Sequence, residues 1–544
     1  VLANNQEKNI SRRAFLNQVG KVGGAVAVYG AMDSLGLLGN SMFASAAEFK
    51  APKKSELAMV NKTGKKVIIL GGGIAGLASA YELSKAGYDC QIFEARDRVG
   101  GRNWTVRGGT TETELGGVKQ VARFDKGQYM NAGPARIPQH HVTIDYCREL
   151  GVELEVFTNI NEAGYYFHEN AGPLSNKKIR KREIKADTRG YVAELLTKVA
   201  NQSALDQELT SQDIERLKAF LSSDGALNAS KKYTGTGYRG YLEDDLPGAG
   251  LKPGTVGTPH AFKDILESGM MNQFSSEYSF DQQMMVFQPV GGMDQIPKAL
   301  AERLPGKITF GAEIREIRQS ADGVRIVYKK GNGPVKQVTG DYCICTIPLP
   351  VLSKIPADFS PEMKNAIKSI GYATTGKIGF QFKTRFWETE DRIMGGMTTT
   401  NMDINQIWYP SYGYLSPKGV VIGYYNFGQS AVDYGNLPLK ERERRALAQG
   451  TKIHKQYTSE LEHSFSVAWH KIKYNEGGWA SYSSSDRKNY YPTLNEPQGR
   501  IYLAGEHLSY LTGWMAGAFE SARIAVSRIH ERTLKETRKP VTVG

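Results

Sequence analysis

Cysteine is scarce in this chain, with four in 544 residues. Cys90, Cys147, Cys343 and Cys345 are too few to staple a chain of this length, which excludes a disulfide scaffold. Cys343 and Cys345 form a C-x-C pair inside the apolar strand DYCICTIP. No further Cys or His stands nearby at ligand spacing, so metal binding is not expected and both thiols belong in the core. Long apolar runs are missing too. The mildly apolar stretch from Val22 to Met32 falls well short of the ~20 residues of a membrane span and is bracketed by Lys21 and Asp33. No stable membrane anchor is expected. Repeats and low-complexity tracts are absent. The net charge is +13, but Lys and Arg are spread along the chain without a recognition-helix, zinc-finger or RNP pattern, so nucleic acid is not an expected partner. The densest cluster, NKKIRKREIK from Lys177 to Lys185, reads as a solvated face of a helical region, with attraction to an acidic surface as the other reading.

What remains is a composition of 40% hydrophobic and 23% charged residues, fitting a soluble enzyme of two or three domains at about 150 residues each. Its N-terminus carries an address. SRRAFL, with Arg12 and Arg13, precedes the apolar run and the small-residue site Ala44-Ser45-Ala46, the layout of a twin-arginine signal over residues 1–46. That route moves folded proteins through the Tat export machinery and implies a periplasmic or secreted enzyme of bacterial type.

Val67 to Leu70 reads as a buried strand running into GGGIAGLASAYELSKAG. Gly71, Gly73 and Gly76 have G-x-G-x-x-G spacing, for a tight turn, close backbone approach to a pyrophosphate, and close helix–strand packing. The helix N-terminus then offers unpaired N–H groups and the positive end of its dipole to the anion. The next strand, CQIFE, ends in Glu94, where a carboxylate can accept hydrogen bonds from both hydroxyls of an adenosine ribose.

Past that strand, EARDRVGGRNWT places Glu94, Arg98, Gly100, Gly101 and Arg102 in a pattern that resembles the E-x-x-x-R-x-G-G-R segment of the flavin amine oxidases. PVGGMDQIPKAL, DYCICTIP, RIYLAGEH and GWMAGAFESARIAV resemble later pieces of the same family, so the likeness spans roughly residues 65 to 530. It implies an α/β (α+β) fold with a discontinuous, GR2-type Rossmann-like FAD-binding domain (63–125, 286–350 and 495–535). A mixed-sheet substrate domain (126–175 and 351–494) and a helical cap domain (176–285) complete it. Alternating apolar patterns in GKIGFQF and GVVIGYYNF predict antiparallel strands, and YVAELLTKVA and IERLKAFL predict cap helices. The stretch TGTGYRGYLEDDLPGAGLKPG is expected to be a loop lining the way into the active site.

The resemblance implies FAD contacts at Gly71, Gly73, Ile74, Ala75 and Gly76, then at Glu94, Ala95, Arg96, Gly101 and Arg102. Others fall at Gly133, Pro134, Ala135 and Arg136, at Ile314 and Thr346, and at Gly505, Glu506, Gly513, Trp514 and Met515. Arg102 matches the arginine on the pyrophosphate, Glu506 the carboxylate on the ribityl side, and Trp514 and Met515 the residues beside the isoalloxazine. NAGPARIPQHH resembles the G-x-x-R-[ILV]-P motif of L-amino-acid oxidases, placing Arg136 on the substrate carboxylate, a role suited to the two parallel donors of a guanidinium. Tyr424 is expected as a second carboxylate contact, with Tyr425 on the other face of its strand, although the register could slip by one. Lys377 resembles the family lysine that holds a water against the flavin. Trp479, Gly513 and Trp514 are expected to flank a broad, apolar side-chain pocket suited to large neutral amino acids, without excluding Lys, Arg or Glu. No residue can be matched to the histidine that snake-type members carry in the cap. The implied reaction is oxidative deamination of an L-amino acid by molecular oxygen. An amino-acid monooxygenase, a monoamine or polyamine oxidase, or a non-catalytic flavin-binding protein are the alternatives, and a homodimer is left open.

Overall fold

The computed structural model describes residues 64–202, 209–273 and 279–537. The twin-arginine segment, with Arg12 and Arg13, lies outside the described residues. Among them, no helix is long and apolar enough to cross a membrane.

Three separated stretches of chain build one parallel sheet. Its order is Ile308–Thr309, Asp89–Phe93, Lys66–Leu70, Tyr342–Cys345 and Ile501–Leu503, and every neighbouring pair is parallel. Such sheets are covered on both faces, so their strands read as apolar runs rather than alternations. Val67 to Leu70 and Tyr342 to Cys345 are fully buried, the two cysteines among them. One face packs on the helices Ile74–Lys85 and Met515–Thr537, through Leu77, Ala78, Phe519 and Ala522. The other packs on the antiparallel three-stranded sheet Ala312–Gln319, Val324–Lys330 and Val335–Gly340.

A seven-stranded sheet forms the second layer system, in the order Leu461–Ala468, Thr375–Phe382, Gly419–Phe427, Gln406–Trp408, Met397–Thr400, Tyr165–Phe167 and Ile179–Arg180. Its pairs are antiparallel apart from Met397–Thr400 with Tyr165–Phe167. The strands GKIGFQF and GVVIGYYNF are direct neighbours in it.

Helices Lys181–Ala200, Ser211–Asp224 and Phe262–Ser268 occupy the expected helical insert. Two expectations fail there. The basic cluster is not simply a solvated face: Lys178 pairs with Asp391 at 2.9 Å, Lys185 with Glu162 at 2.7 Å and Arg180 with Glu243 at 2.8 Å, while Lys181 is buried. The loop spanning residues 234–254 lines no part of the main cavity. Its Arg239 is buried and pairs with Asp187 at 2.5 Å, while Nη1 donates to Gly257 O. An arginine taken out of water must keep its carboxylate, and that pair ties the loop to the helix Lys181–Ala200.

Candidate active site

The glycine turn opens the site. Gly71 holds φ +106°, and a Cβ there would stand 2.5 Å from Thr346 Oγ1, so strand and turn meet too closely for a side chain. A Cβ on Gly76 would reach 2.0 Å from Gly71 O, which makes this glycine a packing residue beneath the turn. Gly73 differs: a Cβ there would meet nothing within 4 Å, and the residue lines the cavity. It is the N-cap of the helix Ile74–Lys85 and makes no side-chain cap bond. The first-turn N–H groups therefore face the cavity with the positive end of the helix dipole behind them, a cradle for an anion.

That cavity, of about 510 Å³, runs from the turn to the seven-stranded sheet. At one end Glu94 accepts from Gly72 N at 2.6 Å and Arg96 N at 2.8 Å, fixing its carboxylate beside the turn. Ala95, Arg96, Ile314 and Thr346 complete this end. In the middle Arg102 Nη1 donates to Glu506 Oε1 at 2.6 Å and to Gly478 O at 2.9 Å. Burial draws this guanidinium down, but Glu506 outweighs it and leaves Arg102 above its ordinary value. Glu506 Oε2 accepts from Gly513 N at 3.2 Å, and so joins Arg102 to the segment leading into Trp514 and Met515. Gly101, Gly133, Pro134 and Gly505 also line the wall. The fit to a dinucleotide is good: an uncapped helix end with an open glycine, a fixed carboxylate one strand further on, and a half-buried arginine between them.

At the far end stand Lys377, Tyr425, Trp479, Gly513 and Trp514. Lys377 is 5% exposed. Its Nζ donates to Asn131 O at 3.1 Å and Gly133 O at 2.5 Å and lies 4.6 Å from the ring centre of Tyr425. Among the described residues no carboxylate compensates it; burial, and secondarily the charge of Arg136, pull its amine down to about 7. A proton can thus be held or released there near neutral pH. Loss of the neutral amine should appear as an acid limb near pH 7 in kcat, and Lys377→Met should abolish that limb; a limb of the same midpoint in the variant would assign it to another group.

Arg136 stands beside the cavity wall rather than on it. Its guanidinium lies 5.0 Å from the ring centre of Trp408 and 5.5 Å from that of Trp514. Nη2 donates to Gln282 Oε1 at 2.9 Å, and the buried Nε has no partner. Among the described residues no carboxylate pairs with it, and burial lowers its basicity. A cation half-withdrawn from water without an anion is costly, and arrangements of that kind mark sites that receive their counter-charge from a ligand.

Tyr424 does not belong here. It is 1% exposed and packs with Val421, Ile378 and Phe380 in the core on the opposite face of the sheet, whereas Tyr425 packs with Ile422, Phe157 and Trp408 on the side of Arg136. The register shifts between Ile378 and Gly379: Ile378 faces Tyr424, but Gly379 faces Ile422. Gly423 is the extra residue, and a Cβ on it would enter the Phe380 ring. A bulge of one residue inverts the alternation beyond it, which puts Tyr425 rather than Tyr424 opposite Lys377. Ala135 also lies behind the wall, against the Trp408 cluster. Two contributors carry no motif. Trp408 ends the three-residue strand Gln406–Trp408, too short to show alternation, and nothing in the sequence points to Gln282.

A profile of the family described as flavin containing amine oxidoreductase matches residues 74–530, and the chain belongs to that family. It is 28% identical over 486 residues to the L-amino acid oxidase bordonein-L of Crotalus durissus terrificus, covering 87% of this chain and 88% of that one. With the L-amino-acid oxidase of Notechis scutatus scutatus it shares 29% identity over 497 residues, covering 88% and 89%. Among solved structures, wild-type putrescine oxidase bound to putrescine superposes with a TM-score of 0.56 at 18% identity, over 87% of this chain and 99% of that one. Cyclohexylamine oxidase from Brevibacterium oxydans does so with 0.57 at 16%, over 86% and 99%. At such identities the likeness concerns the fold.

Proposed function

We propose that this chain is an FAD-dependent L-amino-acid oxidase, turning an L-amino acid, oxygen and water into a 2-oxo acid, ammonia and hydrogen peroxide. One observation carries the choice of substrate: Arg136 is a half-buried guanidinium, its Nε fully enclosed, held between two tryptophan faces with no carboxylate of its own among the described residues. A substrate carboxylate would take the place of the Gln282 oxygen and accept two parallel donors. An amine without a carboxylate would leave the charge uncompensated. Oxygen uptake and peroxide release across a panel of L- and D-amino acids and amines test this; turnover confined to amines would overturn it. Within the panel, Leu, Met and Phe are expected to lead, because Trp479 and Trp514 make the pocket broad and apolar.

Bound FAD supplies the hydride acceptor and the passage of both electrons to oxygen. Glu94 would hold the adenosine ribose, the turn at Gly73 and Arg102 the pyrophosphate, and the start of the helix Met515–Thr537 the pyrimidine side of the flavin ring. Arg136 fixes the substrate's orientation, and the two tryptophans exclude water around the reacting carbon. Lys377 holds or yields a proton, and through its bonds to Asn131 and Gly133 it also steadies the segment that carries Arg136.

Tyr425 would be the second carboxylate contact. Tyr425→Phe should lower kcat/KM toward L-amino acids by about 1 kcal/mol, as loss of one hydrogen bond does. Tyr424→Phe should leave kcat/KM unchanged; the reverse pattern would restore Tyr424 to the site. For location, we infer export by the twin-arginine route from Arg12 and Arg13. Changing both to Lys should leave active, flavin-loaded enzyme in the cytoplasm, and unchanged export would overturn the inference.

A further inference from the structure

His140 and His141 precede the helix Val142–Leu150, and Asp281 faces both of them. The Nε2 atoms of His140 and His141 lie 3.0 and 2.8 Å from the same oxygen, Asp281 Oδ1, and the three atoms all fall within 4.8 Å of one another. Packing as well as hydrogen bonding holds the rings. His141, with a side chain 3% exposed, sets its ring at 89° to that of Trp514 with centres 5.0 Å apart. His140 lies against Phe280 at 4.0 Å between centres. Asp281 forms ion pairs with these two imidazoles and, among the described residues, with no Lys or Arg.

We propose that His140, His141 and Asp281 form a binding site for a divalent transition-metal ion, with Zn²⁺ as its representative. Two imidazole nitrogens and one carboxylate oxygen favour Zn²⁺, Ni²⁺ or Cu²⁺ over Mg²⁺ and Ca²⁺, which take oxygen donors. Bonds of about 2.0–2.1 Å to a common ion set neighbouring donor atoms about 3 Å apart, and the two nitrogen–oxygen separations already match. Rotation of the accessible His140 ring, 27% exposed, brings in the third donor, and water completes the shell. The ion would clamp the turn ahead of Val142–Leu150 to the segment entering the strand Met285–Pro289, one residue from Gln282, the hydrogen-bond partner of Arg136. The site stands independently of the reaction assigned above.

The test uses the untagged, flavin-loaded protein titrated with ZnCl₂ in a calorimeter, with MgCl₂ and CaCl₂ as controls. One Zn²⁺ per chain should bind, no comparable binding should occur with the other two ions, and affinity should fall at least tenfold in His140→Ala and in Asp281→Asn. His140 lies at the surface and Asp281→Asn keeps the shape, so both variants should fold; their melting temperatures without zinc check this. Zinc should raise the melting temperature of the wild type and not of the variants. In zinc-soaked crystals an anomalous peak should lie between the three side chains, a readout that needs no variant. Absence of saturable binding, unchanged affinity in both variants, or a zinc peak elsewhere would each overturn the site.

Discussion

Arg136→Ala should lose about 2–5 kcal/mol in kcat/KM toward L-amino acids, which is roughly 30-fold to several-thousand-fold. The size follows from desolvation. The guanidinium is half-buried between Trp408 and Trp514, with Gln282 as its only hydrogen-bond acceptor among the described residues, so a bound carboxylate gains a charge-assisted, two-donor contact with little competition from water. Flavin content should hold, because Gly73, Glu94 and Arg102 lie elsewhere along the cavity. Arg136→Lys should recover part of the loss, since a point charge attracts the carboxylate without fixing its plane. Amines lacking a carboxylate should be poor substrates of the wild type and should lose little in Arg136→Ala. Steady-state kinetics on Leu, Phe and a matched amine check all of this; unchanged efficiency of Arg136→Ala toward Leu would remove the carboxylate assignment and leave an amine oxidase in its place.

Gly73→Val should yield a folded, colourless protein. Gly73 has φ −76° and ψ −178°, extended backbone open to any L-residue, and its added Cβ touches no protein atom within 4 Å. The valine would fill only the space that the pyrophosphate needs. Gly76→Val is the contrast: its Cβ would collide with Gly71 O at 2.0 Å, so it should lose the fold along with the flavin. The ratio of flavin to protein absorbance, with melting curves of both variants beside apo wild type, separates the two. A stoichiometric flavin in Gly73→Val would place the dinucleotide away from this turn.

Local constraints made the parallel sheet and its glycine turn legible from the sequence: a buried strand reads as an apolar run, and Gly71, Gly73 and Gly76 have steric duties within a few residues of one another. Tyr425 was not legible, because the bulge at Gly423 inverts side-chain parity and shows only when Thr375–Phe382 is laid beside Gly419–Phe427. Gln282 reaches Arg136 across a separation of 146 residues with no local pattern to announce it. The loop spanning 234–254 looked like an entrance by length and glycine content, and one buried pair, Arg239 with Asp187, sends it elsewhere. Such pairs depend on the tertiary fold, where short-range propensity has no voice.

The order in which the sheet's strands occur along the chain bears on how the protein is made. During synthesis, Lys66–Leu70 can pair early with Asp89–Phe93, but its other edge waits for Tyr342–Cys345, which begins about 275 residues further on, and closing so long a loop slows folding. The outer strand Ile501–Leu503 and the wall residues Trp514 and Met515 emerge after every other strand of the sheet, so a nascent chain still lacking them exposes the edge of Tyr342–Cys345 and has only a partial groove for its flavin. Edges of that kind invite pairing with other chains. Cofactor loading is thereby tied to synthesis having passed Met515, and a message cut short upstream of Ile501 would deliver an aggregation-prone fragment instead of a weak enzyme.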